Sequence, residues 1–308
     1  MTDFASLSLF AVYSAMAVYT VAFLFFTWDL AKRSAPAPAR DLAGGTESSA
    51  EVAAQETKPT GTGHQRIGVS LMALGFAFHL LAVIARGVAA SRVPWANMFE
   101  FGLTATALIV AVFLGALLWR DLRYLGAFVT GFVLLALGIV TVNFYVDVVP
   151  LPPALQSVWL VIHVFVASLA TAFFALAAGL AILQLVRQRF EIRGMAKARL
   201  MKTLPSSSVL ESLSYRLNVV GFTLWTFTLI AGATWAERAW GRYWGWDTKE
   251  VWTFIIWVLF AGYVHARATR GWRGSRSAWL GIIGFGAVLF NYSVVNIAFT
   301  GLHSYSGL

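Results

Sequence analysis

Eight apolar runs separated by short polar segments account for most of this 308-residue sequence. They span residues 6–28, 67–90, 99–119, 124–146, 156–186, 216–236, 250–267 and 277–299. An α-helix needs about twenty residues to cross the hydrocarbon core of a bilayer, and each run is long enough or nearly so. Only helices and closed barrels satisfy every backbone hydrogen bond in lipid, and runs of this length are helices. The sequence therefore predicts an all-α integral membrane protein with about eight transmembrane helices.

The basic residues predict how these helices are oriented. Of the 23 lysines and arginines, 18 (23 − 5) lie on one side of the alternating topology, and five lie on the other. The five are Arg86, Arg92, Arg238, Arg242 and Lys249. Cytoplasmic connections of membrane proteins carry the excess of Lys and Arg. We therefore predict a multi-pass protein of the plasma membrane with both termini on the outer side. The net charge of +9 then indicates contact with membrane lipids and not with nucleic acid.

Composition divides the chain into three parts. Residues 1–28 form a first transmembrane helix, which is too long and wrongly flanked for a cleaved signal peptide. Residues 29–66 are rich in Ala, Pro, Gly, Ser and Thr, which is typical of a flexible linker, here on the cytoplasmic side. Residues 67–308 hold the remaining apolar runs and form the main transmembrane domain.

The stretch WAERAWGRYWGWDTKEVWTFIIW, residues 235–257, contains six of the thirteen tryptophans. They are Trp235, Trp240, Trp244, Trp246, Trp252 and Trp257. Tryptophan collects at membrane interfaces in general, and Asp247 with Glu250 has the spacing of a capping box at the start of the seventh helix. Alternatively, so many indoles close together would make a flat, apolar platform for a large planar ligand such as a porphyrin.

The histidines are the candidate iron ligands, because the chain has no cysteine. His163 and His303 lie on the predicted outer side, before and after the tryptophan stretch. His265 lies at the inner end of the seventh run, His79 in the middle of the second and His64 in the linker. A histidine inside a membrane protein is as often a packing or hydrogen-bonding residue, so both interpretations remain open.

Several motifs together resemble one family. The segments WGRYWGWDTKE, VHAR, SVWLVIHV, FTGLHSYSG and RGVAASRVPWANMFEF are similar to the signature of the cytochrome c assembly family. The resemblance is to its CcsA/ResC-type haem-handling members, labelled CcsB in actinobacteria, which carry the tryptophan-rich WWD motif. It extends from about Phe78 to the C-terminus.

The resemblance implies a haem-handling site. His163 and His303 would ligate haem iron over the outer tryptophan-rich loop, and His265 would take part in an inner haem site together with a histidine of a ResB/Ccs1-type partner. The other haem-binding residues implied are Trp235, Trp240, Trp244, Trp246, Asp247 and Trp252. The cargo would be haem b.

The implied activity is delivery and presentation of haem for covalent attachment to a CxxCH apocytochrome c at the outer face. The chain would act as a subunit of a cytochrome c haem lyase or synthase complex. Arg238, Arg242 and Lys249 are candidates either for the haem propionates or for lipid headgroups, and Arg86 is expected to pair with Glu100.

Two other functions compete with this one. A b-type electron carrier usually has paired histidines on single helices, and no predicted helix here carries two. A solute transporter often shows internal symmetry or paired interrupted helices, which this sequence lacks.

Overall fold

The computed structural model describes residues 2–34, 63–149, 156–195, 201, 204–299 and 301–302. Within these residues all regular structure is helical: α1 (Thr2–Ser34), α2 (Gly63–Ala90), α3 (Met98–Trp119), a 3-10 turn (Arg123–Leu125), α4 (Gly126–Asn143), α5 (Val158–Ile192), α6 (Ser207–Trp240), α7 (Thr248–Thr269), α8 (Ser275–Tyr292) and α9 (Val294–Ala298). Eight spans in the described part of the chain are long and apolar enough to cross a membrane. This confirms the predicted all-α membrane protein with about eight transmembrane helices.

Several helices extend beyond the apolar runs that predicted them. Helices α5 and α6 have 35 and 34 residues, or roughly 50 Å of length, which exceeds the hydrocarbon thickness. Helix α1 continues to Ser34 and α2 begins at Gly63, so both ends of the predicted 29–66 linker are helical and the rest of it lies outside the described residues. Apolar length marks only the part of a helix that crosses lipid, and polar residues continue the same hydrogen-bond ladder beyond it.

The last predicted run, 277–299, is confirmed as a membrane span, Ser275–Ala298, but its helix is interrupted once. The structure breaks it at Ser293, whose backbone has φ −91° and ψ −74°, and the short α9 follows. The ammonium of Lys249 donates to the backbone carbonyl of Asn291 over 3.2 Å. This carbonyl near the end of α8 is thereby satisfied by a side chain from α7. No proline or glycine marks the break in the sequence.

The helices pack as two antiparallel pairs joined by the others. Helix α1 lies along α2 and α5 lies along α6, while α3 contacts α4 and α5, and α7 and α8 pack on each other and on this core. The rings of Phe174 in α5 and Phe260 in α7 stack with centroids 3.7 Å apart. A Cβ on Gly221 of α6 would lie 2.7 Å from the Phe174 ring, so glycine lets α6 approach this core cluster.

The bundle has two chemically different ends. One end, called the tryptophan end below, carries the α2–α3, α4–α5 and α6–α7 connections. The backbone amide of Leu302 donates a hydrogen bond to Asp247 Oδ2 there, over 3.0 Å. The basic end carries the α3–α4 and α7–α8 connections. There, Glu211 accepts from Arg267 Nη1 at 2.6 Å and from the Gly274 amide at 3.0 Å, which ties α6, α7 and α8 together.

A buried ion cluster holds the tryptophan end together. Arg86 Nε lies 2.9 Å from Glu100 Oε1, which confirms the expected pair, and Arg92 Nη1 lies 2.7 Å from Glu100 Oε2. Arg86 Nη2 also donates to the carbonyl of Val146 at 2.8 Å. The side chains of Arg86 and Glu100 are 1% and 0% exposed. One carboxylate therefore connects α2, α3 and, through Arg86, the segment that follows α4.

Candidate functional site

The tryptophan loop, residues 241–247, is set by the helices on either side of it. Helix α6 ends at Gly241, whose φ of 70° is in the left-handed region that favours glycine. Helix α7 begins with the predicted capping box, which the structure confirms. Glu250 Oε2 accepts from the amides of Gly245 at 2.7 Å and Asp247 at 3.1 Å. The first turn of α7 thus fixes the backbone of the loop.

The six tryptophans do not form one flat platform, and that prediction was wrong. Trp244 meets Trp246 edge-on, with centroids 6.0 Å apart, while Trp252 packs on Phe290 of α8 at 4.4 Å. Trp257 donates its indole N–H to Thr226 Oγ1 at 3.0 Å. Residues on a helix point in directions set by its period of 3.6 residues per turn, so indoles close in sequence are directed to different neighbours.

Trp235 and Trp240 form a smaller aromatic cluster with the first candidate ligand, His163. Trp235 is 2% exposed, and its ring meets that of Trp240 at 4.8 Å and an angle of 63°. The imidazole of His163 lies over Trp235, with centroids 6.0 Å apart and planes at 21°. The structure therefore brings together three of the residues that the sequence analysis selected.

The hydrogen bonding of His163 suits an iron ligand. Its Nδ1 lies 2.9 Å from the carbonyl oxygen of Thr228 in α6. A carbonyl only accepts, so Nδ1 carries the hydrogen and Nε2 of the neutral ring carries the lone pair. Metal-bound histidines commonly donate the other ring N–H in this way, which fixes the ring orientation. A Cβ on Gly232 would lie 2.7 Å from His163 Cε1, so the ring needs glycine at that position.

A cavity extends from the tryptophan loop into the bundle, and residues of α3, α4, α5, α6, α7 and α8 line it. His163, Trp235 and Trp244 contribute to its lining, and Lys249 and Asn291 line it as well. Most of the remaining lining side chains are apolar. An apolar cavity with an imidazole in its wall and a few polar groups has the chemistry that a porphyrin requires.

The second candidate ligand, His303, lies outside the described residues. The chain before it is attached to the loop, because the Leu302 amide donates to Asp247 Oδ2. A Cβ on Gly301 would lie 2.2 Å from the same oxygen, which leaves room for glycine alone at that position. Asp247 therefore both caps α7 and binds the residue immediately before His303.

The other histidines lie away from this site. His265 is on α7, thirteen residues or ~20 Å of helix beyond Trp252, and it is exposed on the outside of the bundle. His79 is fully buried, with Nε2 2.9 Å from the Leu103 carbonyl and Nδ1 3.3 Å from the Tyr19 hydroxyl. Both ring nitrogens of His79 are thus engaged in joining α1, α2 and α3.

Two polar residues of the cavity were not selected from the sequence. The indole Nε1 of Trp95 and the amide Oδ1 of Asn291 are buried atoms with no hydrogen-bond partner among the described residues, and both residues line the cavity. Trp95 lies within the segment RGVAASRVPWANMFEF, and the resemblance of this segment to the family could have marked Trp95 as a site residue. Asn291 carries no such signal, because its place in the cavity depends on how α8 packs against the other helices.

Comparison with known proteins identifies the family of this chain. The family model described as cytochrome C assembly protein matches residues 95–303. The cytochrome c biogenesis protein CcsA of Guillardia theta is 36% identical over 261 residues, covering 76% of this chain and 86% of that protein. CcsA of Synechococcus elongatus is 33% identical over 299 residues, covering 80% and 89%.

A solved structure shares the fold. The cytochrome c heme lyase CcmF superposes with a TM-score of 0.66 at 16% sequence identity. The match covers 94% of this chain but 46% of CcmF, so this chain spans less than half of the larger protein. With a family model that matches most of its length and relatives above 30% identity, the chain belongs to the cytochrome c assembly protein family.

Proposed function

We propose that this chain holds haem at its tryptophan end and presents it for covalent attachment to a CxxCH apocytochrome c. One observation carries the proposal: His163 stacks on Trp235, donates Nδ1–H to Thr228 and lines the apolar cavity below the tryptophan loop. An imidazole in the wall of an apolar cavity supports binding of a porphyrin there. The family and the names of its relatives concern cytochrome c assembly.

The chemistry assigned to the chain is binding and orientation of the substrate. Each thioether forms when a thiol S–H adds across a haem vinyl C=C, giving one C–S and one C–H bond. The chain has no cysteine, so both thiols belong to the apocytochrome. His163 and His303 would hold the iron of haem b, and the tryptophan loop with Asp247 would fix the plane of the ring. Positioning two reactants in this way lowers a barrier by reducing the entropy lost on reaction.

The tryptophan end is assigned to the extracytoplasmic side of the plasma membrane. The support is the distribution of charge, since five of the 23 lysines and arginines belong to this side of the predicted topology. Both termini then lie outside, and residues 67–308 form the haem-handling domain. This orientation would place His163 and His303 where an exported apocytochrome can reach the haem.

An inner haem site would need a second chain. His265 lies near the basic end of α7 and faces outward from the bundle, where an axial ligand of another protein can approach it. A six-coordinate haem needs two axial ligands, and both nitrogens of His79 are already engaged. A ResB/Ccs1-type membrane protein that supplies a histidine is therefore the proposed partner, and the two chains would form the lyase or synthase complex.

Co-expression tests the function and the partner together. In a host that lacks its own cytochrome c maturation system, this chain and a ResB/Ccs1-type protein should together give covalent haem on a co-expressed CxxCH cytochrome, detected by haem staining of denatured protein. Either protein alone should give only background staining. Efficient attachment by this chain alone would overturn the partner assignment, and no attachment with any partner of this type would count against the function.

A further inference from the structure

Lys249 lies on the cavity wall and forms no salt bridge among the described residues, although the charge of the neighbouring Asp247 acts on it. Its Nζ donates to the Asn291 carbonyl at 3.2 Å and to Asn296 Oδ1 at 2.5 Å, and both acceptors are neutral. No salt bridge within the described residues includes it. The neighbouring carboxylate of Asp247 accepts from the amides of Lys249 and Leu302.

A buried ammonium whose hydrogen-bond acceptors are all neutral is unfavourable in this position. Moving an ammonium from water to an apolar wall costs free energy that an opposite charge recovers when hydrogen bonds complete the site. An ammonium has three N–H donors, and Asn291 and Asn296 take two. The cavity therefore offers both a charge and a donor to an anion that enters it.

A second donor lies on the same cavity. The indole N–H of Trp95 is buried without a partner among the described residues, and Trp95 lines the cavity with Lys249 and His163. Trp95 comes from the segment before α3, and Lys249 comes from the first turn of α7. Donors from two separate elements, one of them charged, match the acceptor atoms of a carboxylate.

We propose that Lys249 binds a propionate carboxylate of the haem whose iron His163 holds. This rests on the proposed function and adds the orientation of the ring. The two propionates lie on the edge of the porphyrin opposite the vinyl groups. Holding the propionate edge at Lys249 prevents rotation about the bond between iron and imidazole, so that the vinyl groups always face the same way toward the incoming thiols.

The other two candidate cations lie elsewhere. The Arg238 guanidinium lies over the Trp159 ring, 5.4 Å from its centroid, and the Arg242 guanidinium lies against Gly245 within the tryptophan loop. Neither residue lines the cavity, whereas Lys249 does. Of the three basic residues near the loop, the geometry therefore selects Lys249.

The test compares haem with haem dimethyl ester, which lacks both carboxylates. The purified full-length chain is titrated with each porphyrin, and affinity is read from the Soret band. A hydrogen bond to a charged group is worth enough for the wild type to favour haem by about tenfold. Lys249→Met should remove this preference by weakening haem alone. The ratio of the two affinities is compared between variants, so that different partitioning of the two porphyrins into detergent cancels.

Matched variants separate this role from a structural one. Lys249→Arg should keep the preference because it keeps the charge, and Arg238→Met should keep it because Arg238 lies outside the tryptophan loop and does not line the cavity. The proposal is overturned if Lys249→Met retains the preference, or if that variant weakens both porphyrins equally, which would indicate that Lys249 only supports the α8–α9 break. Failure of the haem-binding function itself looks different, because neither porphyrin would then bind in a His163-dependent manner.

Discussion

Replacing His163 with alanine is expected to remove most of the low-spin haem from the tryptophan end. The reason is geometric, because the Thr228 carbonyl and Trp235 hold this imidazole with its Nε2 as the ligating nitrogen. Without it, the iron would be left with one axial histidine and would become five-coordinate or bind water. The reduced-minus-oxidised spectrum of the purified chain should therefore lose the sharp bands of a bis-imidazole haem. Added imidazole should restore part of them by entering the space that the side chain leaves.

A matched histidine variant is the control for this experiment. His64 lies at the start of α2, against the ring of Phe25 at 6.3 Å, so His64→Ala should leave the spectrum unchanged. His303→Ala should behave as His163→Ala does if His303 is the second ligand. Unchanged spectra in both His163→Ala and His303→Ala would show that the haem is held by other residues.

Replacing Glu100 with alanine is expected to destabilise the protein by about 3–5 kcal/mol, the usual cost of breaking a buried ion pair. Glu100 is the shared partner of Arg86 and Arg92, and its Oε2 also accepts from the Ala96 amide at 2.9 Å. Its loss would leave two guanidinium groups without their counter-charge. The effect is measured as a lower midpoint of denaturant or thermal unfolding in detergent, and as weaker accumulation in the membrane.

The control is an exposed ion pair of the same kind. Asp121 pairs with Arg123 at 2.5 Å, but its side chain is 46% exposed. Asp121→Ala removes the same charge as Glu100→Ala and should cost at most about 1 kcal/mol. Equal and small losses in the two variants would mean that the Glu100 cluster contributes no more than a surface pair.

The sequence determined the features that depend on one segment at a time. Apolar length predicted the eight spans, because the free energy of transfer into lipid depends on composition alone. The spacing of Asp247 and Glu250 predicted the capping box, because a cap forms between residues three apart on one chain. The pairing of Arg86 with Glu100 was also predictable, since both residues lie at the same end of adjacent helices and isolated charges there are costly.

The candidate ligands were predictable only in part. With no cysteine in the chain, histidine was the side chain left to bind iron, and the family motifs selected His163, His303 and His265. The contact of His163 with Trp235 could not be read from these patterns, because residues 72 positions apart meet only through the packing of α5 against α6. The engagement of both nitrogens of His79 likewise required α1 and α3 to be in place.

Tertiary structure alone decided where the tryptophans point, where the last span breaks and what lies around the cavity. The rotation of each helix about its axis determines which neighbour a side chain meets, and that rotation comes from the packing of all helices together. Trp252 was thereby directed to Phe290. The break at Ser293 involves Lys249 of another helix. The sequence pattern of one segment indicates whether that segment forms a helix and enters lipid. A binding site depends instead on how several segments pack against each other.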